Sequence, residues 1–305
     1  MNSASVIELG RRPAVQRSRL LRYWQGRLRG SEFTWAVAFV VPYIAVFLAF
    51  VVYPVFYGAW MGSSPHLYTE LFSDPIYQNT MINTVIFIAF GVNLKLFLAL
   101  MMSGFFMRPG WWMKALLVIF VLPWAIPALP TFISIHWLLN GEWGLMNNAL
   151  YYFFGVEGPS WLNDRWLALG SAVCSHIWKW LPFWTVILLA GRMSISQDIW
   201  DAAKVDGATG IRCFAYVTFP LLANLYLILT LLATVFLLGD FNSVSFVTGG
   251  GPANSTHVLA TLGIRNAYDM GKPELGVAAV MSALPLMIPL VIILMRKLRT
   301  SEVQI

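Results

Sequence analysis

Long charge-free runs dominate this chain. No Asp, Glu, Lys or Arg occurs from Phe33 to Thr69, and the apolar part of that run extends from Trp35 to Trp60. Pro75 to Met107 holds one charge, Lys95; Ala115 to Gly141 holds none; Trp166 to Gly191 holds only Lys179. Cys213 to Gly239 and Leu275 to Met295 hold none. A helix needs about 20 mostly apolar residues to cross a bilayer. The pattern therefore predicts six spanning helices, at about 35–60, 80–103, 115–138, 167–190, 220–243 and 274–295. Phe241 to Ile264 is also free of charge, but it contains Thr248-Gly249-Gly250-Gly251-Pro252. Such a Gly and Pro cluster breaks helices, so this stretch reads as a loop and not a seventh span.

Composition narrows the class. Of 305 residues, 58% are hydrophobic and 11% charged, against about 25% charged in soluble domains. So few charges do not cover a water-facing surface, which excludes an ordinary soluble enzyme and a disordered chain. Two cysteines, Cys174 and Cys213, give no disulfide framework and no metal cluster.

The net charge of +6 is distributed by compartment. Residues 1–33 carry seven arginines, and alternate connections together hold fifteen Lys and Arg against three on the other side. The positive-inside rule then places both termini in the cytoplasm and makes nucleic-acid binding unnecessary to explain the charge. The expected organisation is a basic cytoplasmic tail over 1–33, a transmembrane domain over 34–299 and a short cytoplasmic tail over 300–305. The tail has Pro13 and no apolar segment ending in a cleavage site, so it reads as a segment near anionic headgroups and not as a removable signal. Trp143, Tyr151, Tyr152 and Trp161, after the third span, suit a membrane–water boundary.

One cytoplasmic loop, about 191–219, carries a pattern. It includes Asp198, Trp200, Asp201, Ala202, Ala203, Asp206, Gly207, Ala208, Arg212, Phe214 and Val217, and Pro220 follows. Asp198 and Asp201 favour the positive N-terminal end of a helix. Trp200, Ala203 and Ala202 give it an apolar side, and Gly207 supplies a left-handed turn. A second short amphipathic helix is expected from Arg212, lying across the membrane face, with Pro220 opening the fifth span. No Ser, Cys and His combination suggests covalent catalysis there.

This loop resembles the signature loop of binding-protein-dependent ABC importer permeases: Glu-Ala-Ala, three residues, Gly, nine residues, then Ile-x-Leu-Pro. Asp201-Ala202-Ala203, Gly207 and Val217-Thr218-Phe219-Pro220 stand at those places, and Val205-Asp206-Gly207-Ala208 matches the fuller sugar-permease version. Asn224 stands where the pattern often has a second Pro. Trp178-Lys179-Trp180-Leu181-Pro182-Phe183 followed by Leu188-Leu189-Ala190-Gly191 is similar to the fourth helix of maltose-type and glycerol-phosphate-type permeases. Leu71-Phe72-Ser73-Asp74-Pro75 with Asn83-Thr84, and Thr248 to Pro252 with Ser255-Thr256, resemble two further family segments, the latter the outer loop of one of the two subunits. The loop after Trp60 is shorter than in that family.

The resemblance implies a type I importer permease fold. It also implies a second, different permease subunit, two ATP-binding cassette subunits that carry ATP and Mg, and an extracytoplasmic solute-binding protein. The substrate implied is a sugar, a polyol or a sugar derivative, moved across a bacterial inner membrane by alternating access. Asp201, Ala202, Ala203 and Gly207 would dock the ATPase, with Asp206, Ala208, Phe214 and Pro220 shaping the loop. No cofactor and no enzyme activity are expected in this chain. Its Gly249–Gly251 run lacks the Lys-Ser/Thr of a phosphate loop.

Polar groups inside spans read as functional by default. Lys95 lies 12 residues after Asn83 and Lys179 lies 12 after Leu167, each about 18 Å along its helix, whereas Asp240 lies near the outer end of the fifth span. A direct pair of Asp240 with either lysine is therefore not expected. Lys95 is expected to snorkel toward the inner interface. Lys179 is a family-like structural feature or a holder of an anionic group. Asp240 and Asn242 are the first candidates for sugar contact, with Trp178 and Tyr226 after them. His136 and His176 are expected to bond within the bundle and not to bind metal. A secondary transporter of a small polar solute is the alternative, but it needs mid-membrane carboxylates that the pattern lacks. A membrane enzyme needs a nucleophile and base, or a metal cluster, that the scattered acids and histidines do not form.

Overall fold

A computed structural model describes residues 31–302, with side chains from 35 to 298; the tail readings over 1–30 and 303–305 lie outside them. The described residues are helical, without strands. Five helices are long and apolar enough to cross a membrane, or six if one bent pair counts as a span.

The first, α1 (Trp35–Met61), belongs to a separate unit that ends at Trp60. It widens into a π-turn over Leu48–Val52, directly before Pro54, whose ring would clash with the carbonyl four residues back in a regular helix. Its side chains are almost all exposed.

The second unit holds the other spans. Helix α2 (Pro65–Ser73) buries Leu67 and Leu71. Helix α3 (Pro75–Phe106) starts where Asp74 Oδ1 accepts from Ile76 N at 2.8 Å and Pro75 takes the first turn. Helix α7 (Arg165–Met193) starts likewise, with Asp164 Oδ1 accepting from Trp166 N and Leu167 N, both at 2.9 Å. These two helices form the core. Leu96, Ala99 and Leu100 of α3 share one buried cluster with Leu169, Ala172 and Leu188 of α7 and with Leu222, Leu229 and Ala233 of α9 (Ile211–Leu238). Small residues permit the close approach that membrane helices need in place of a hydrophobic drive. A Cβ on Gly91 would come within 2.6 Å of Leu237.

The third expected span differs from a single helix over 115–138. It is two helices, α4 (Trp111–Ala125) and α5 (Ala128–Leu138), bent by 92°. Pro127 explains the break: it bars Ile126 from helical geometry, and Ile126 sits at ψ 140°. The freed carbonyls need a donor in this dry setting. Lys179 supplies it, reaching Pro123 O at 2.7 Å, Trp124 O at 3.4 Å and also Ile126 O.

The fifth expected span is also corrected. Helix α9 begins at Ile211 and ends at Leu238, so the second loop helix is not a separate piece lying across the membrane face. Nothing between Ile211 and Phe219 breaks a helix, and a π-turn over Phe214–Thr218 makes room for Pro220.

Between the spans lie α6 (Leu145–Phe154), closed by Gly155 at φ +65°, and α8 (Gln197–Val205). After α9 come α10 (Asn242–Val247), α11 (Leu259–Ile264) and α12 (Pro273–Leu298). The stretch rejected as a seventh span is thus two short helices around the Gly-rich loop. Tyr151 and Tyr152 are exposed on α6, while Trp161 Nε1 donates to Asn147 Oδ1 at 2.7 Å.

Candidate functional site

The patterned loop folds as a helix, a turn and the start of a span. Asp198 lies in the first turn of α8, where the macrodipole favours it. Asp201 is exposed and accepts from Lys204 Nζ at 2.8 Å and Gln197 Nε2 at 3.2 Å. These bonds, the Lys204 one foremost, hold its carboxyl below the usual carboxylate range. Ala203 is buried and Trp200 half-buried, three residues apart on one face, whereas Ala202 is exposed. The expected apolar side is therefore narrower by one residue.

Gly207 ends the helix at φ +73°, and Ala208 N donates back to Ala203 O at 2.8 Å. Gly210, at φ +55°, completes the reversal into α9. Asp206 and Gly207 are exposed, Phe214 is half-buried against the core, and Pro220 is exposed in the first turn after the π segment. Val205 and Ile211 flank the turn and are 88% and 85% exposed. The result is an outward knob of small, acidic and apolar groups, seated by Ala203 and Trp200. Its stem is fixed by Arg192 at the end of α7, which is buried and donates to Leu100 O at 3.1 Å.

A second constellation lies inside the bundle. Lys95 is 1% exposed, and its Nζ lies 3.0 Å from His176 Nε2. His176 Nδ1 lies 2.6 Å from Asp240 Oδ2 and 3.1 Å from Ser243 Oγ. Ser243 also donates to Asp240 through its hydroxyl, and through its backbone N at 3.2 Å. With an ionised Asp240, the imidazole carries its proton on Nδ1 and offers the Nε2 lone pair to the Lys95 ammonium.

The snorkelling expectation for Lys95 is thereby overturned. Helical side chains lean toward the N-terminus, so Lys95 reaches back along α3, and His176 fills the remaining gap to Asp240. No direct Lys95–Asp240 ion pair occurs among the described residues, as expected. His176 and His136 both bond within the bundle, the latter to Val247 O at 2.8 Å, and the described residues hold no group of metal ligands.

This triad lines a cavity of about 210 Å³, together with Trp180, Trp184, Phe236 and Asn242. Asp240 and Asn242 thus meet at one site. Three other candidates do not reach it. Trp178 is two residues from His176, on the far side of α7, and lines a separate apolar cavity with Trp161 and Cys174. Tyr226 lies 14 residues before Asp240, about 21 Å along α9, beside Phe219. Lys179 spends its donors on the carbonyls at the α4–α5 break and is no free anion holder. Trp180 and Trp184 escaped sequence reasoning, although spacings of four and eight from His176 put them on its face.

The two outer motifs meet as well. Asn83 Nδ2 donates to Ser255 O at 2.7 Å and His257 O at 3.0 Å, while Arg165 Nη2 donates to Asn83 Oδ1 at 3.4 Å. Thr84 Oγ1 accepts from Leu259 N at 3.0 Å. Within the loop, Thr256 Oγ1 donates to Gly251 O at 2.5 Å and lies 2.9 Å from Thr248 Oγ1.

Known proteins are similar to this chain in sequence and fold. The chain is 32% identical over 241 residues to the sulfoquinovosyl glycerol transport system permease protein SmoG of Agrobacterium fabrum, covering 77% of this chain and 76% of that one. It is 28% identical over 265 residues to the trehalose/maltose transport system permease protein MalF of Thermococcus litoralis, covering 83% and 89%. Its fold superposes on a chain of a bacterial ABC transporter involved in the import of the acidic polysaccharide alginate. The TM-score there is 0.75 at 21% identity, over 92% of this chain and 99% of that one. Residues 95–299, which contain the loop, the knob and the intramembrane triad, match a single family, and this multi-pass membrane chain belongs to it: the inner membrane components of binding-protein-dependent transport systems.

Proposed function

We propose that this chain is one permease subunit of an ATP-driven importer for a sugar, a polyol or a sugar derivative in a bacterial inner membrane. Both termini face the cytoplasm in this reading. A second, different permease subunit completes the pathway. Two ATP-binding cassette subunits, which carry ATP and Mg, grip the knob formed by Asp201, Ala202, Ala203 and Gly207. An extracytoplasmic binding protein delivers the solute. The chain moves solute and performs no hydrolysis.

The observation that carries this reading is the knob. A nine-residue helix ends on a left-handed glycine and presents an exposed acidic and apolar surface. Its base is braced to the core through Ala203 and Arg192. Such a lever is stiff enough to pass a rigid-body motion into α7 and α9. A partner drives the change only if it binds one state more tightly than the other. The cavity supplies the substrate half of the reading. Trp180, Trp184 and Phe236 offer faces to the apolar side of a sugar ring, and Asp240 and Asn242 offer hydrogen bonds to its edge. The relatives named for sulfoquinovosyl glycerol and for trehalose and maltose support a carbohydrate substrate.

Reconstitution in proteoliposomes tests it. Uptake should require both ATP and the binding protein, and collapse of the ion gradient should leave it intact. Uptake driven by the gradient without ATP would establish the secondary transporter instead.

A further inference from the structure

The cavity at Lys95 has an unbalanced set of hydrogen-bonding groups. Asp240 is already partnered within the chain: its oxygens receive His176 Nδ1, the Ser243 backbone N and the Ser243 hydroxyl, which leaves about one of its four acceptor sites for a solute. Lys95 is less so. Its ammonium has three N–H donors, and among the described residues its only hydrogen-bond partner is His176 Nε2. No carboxylate lies within 4.0 Å of it among those residues. It sits 5.5 Å from the ring centroid of Trp184, an attractive but weak site for a cation. A buried ammonium without a hydrogen-bonded anion is costly. Here the anion of the chain is held by His176 and Ser243 and the cation keeps two donors.

Geometry directs those donors. Lys95 lines the same cavity of about 210 Å³ as Trp180, Trp184 and Asn242, and it follows a π-turn over Ala89–Leu94. Such turns occur often at functional sites because they re-aim side chains. The volume falls below the roughly 300–1,000 Å³ of sites for drug-sized ligands, which suits one sugar ring. A neutral ring would bring donors as well as acceptors and leave the charge uncompensated. A carboxylate or sulfonate substituent brings acceptors only, together with the opposite charge.

We propose that the transported solute is an acidic sugar whose carboxylate or sulfonate pairs with Lys95, its ring lying against Trp180 and Trp184. This rests on the importer reading above. Asp240 and His176 hold the ammonium in place and do not compete for it, since His176 stands between the two charges. The pair formed would be charge-assisted and hydrogen-bonded.

The test uses the full chain, assembled with its partner subunits in nanodiscs, and reads quenching of tryptophan fluorescence. The probes are methyl glucoside, methyl glucuronide and 6-deoxy-6-sulfoglucose, which differ only at the sixth carbon or the anomeric methyl. The wild-type assembly should bind at least one acidic probe tenfold or more tightly than the glucoside. The arm that binds better separates carboxylate from sulfonate. Lys95→Gln should abolish the preference and Lys95→Arg should keep it. Equal or tighter binding of the glucoside by wild type overturns the proposal, and so does a preference that survives in Lys95→Gln. Absence of binding by all three probes also overturns it. The wild-type comparison stands without any variant that fails to fold. The ATP requirement of uptake is measured separately, so a neutral-sugar importer would fail this test and pass that one.

Discussion

Lys179 Nζ donates to the carbonyl oxygen of Pro123 at 2.7 Å, from the middle of α7 to the end of α4. The contact links the one charge of the run from Trp166 to Gly191 to the break that Pro127 imposes. Lys179→Met would strip the donor from the carbonyls of Pro123, Trp124 and Ile126 while keeping the side chain's length. Leaving one buried polar group unsatisfied costs about 1–3 kcal/mol. Thermal unfolding of the purified protein in detergent should move down by several degrees, at about 2–4 °C per kcal/mol for large domains. An unchanged midpoint would mean that the break is held by other donors.

A second brace crosses the outer side. Asn83 holds Ser255 and His257 by their backbone carbonyls and is itself held by Arg165. Asn83→Ala should free the loop over 248–258 while the α3–α7 core stays folded. Amide exchange resolved by segment is the check. Exchange should rise at least tenfold in the loop and stay near wild type in α7. Equal protection in both proteins would show that the Thr248–Thr256 contacts suffice.

Much of this was legible in the chain because charge is so costly in lipid. The runs bounded by Arg, Lys, Asp and Glu locate α1, α3, α7, α9 and α12 to within a few residues at most of their ends. Gly207 declared its turn because few residues tolerate positive φ. The α4–α5 break was less visible, since Pro123, Pro127 and Pro130 all lie in one charge-free run and prolines are tolerated in membrane helices. The triad was hidden for a different reason. Lys95, His176 and Asp240 are 81 and 64 residues apart along the chain, and counting depth along straight helices ignores the reach of a lysine and the width of an imidazole. Trp178 begins the family-like motif, but the helical period places Trp180 and Trp184, and not Trp178, on the side of His176.

Acid should weaken the outer loop through His257. Burial, then the nearby positive charge of Arg265, lowers the pKa of His257 to about 4, with Asp269 opposing. A histidine at its ordinary value of 6.5 when unfolded and near 4 when folded binds its proton more tightly in the unfolded chain. Its stabilising contribution is full above pH 6.5 and is lost as pH falls toward 4. The full difference amounts to about 3 kcal/mol at most. Unfolding followed between pH 7 and pH 4 should show this loss in the wild type and a flatter profile in His257→Gln. Parallel profiles would remove His257 as the cause.

Gly207 separates coupling from folding. Its φ of +73° is strained for any residue with a side chain, yet a Cβ there would meet no atom of this chain within 4 Å. Within the protein, Gly207→Ala therefore costs only the left-handed backbone, about 1–2 kcal/mol. Gly207→Trp adds bulk that only a docked partner would feel. Both variants should insert in the membrane at wild-type levels. Substrate-stimulated ATP hydrolysis per assembled complex should fall partly in Gly207→Ala and to background in Gly207→Trp. A loss caused by folding alone would lower the amount of complex and leave its specific activity unchanged. Full stimulation in an assembled Gly207→Trp complex would show that the knob does not seat in the ATPase, and the lever from Ala203 into the core would then have nothing to transmit.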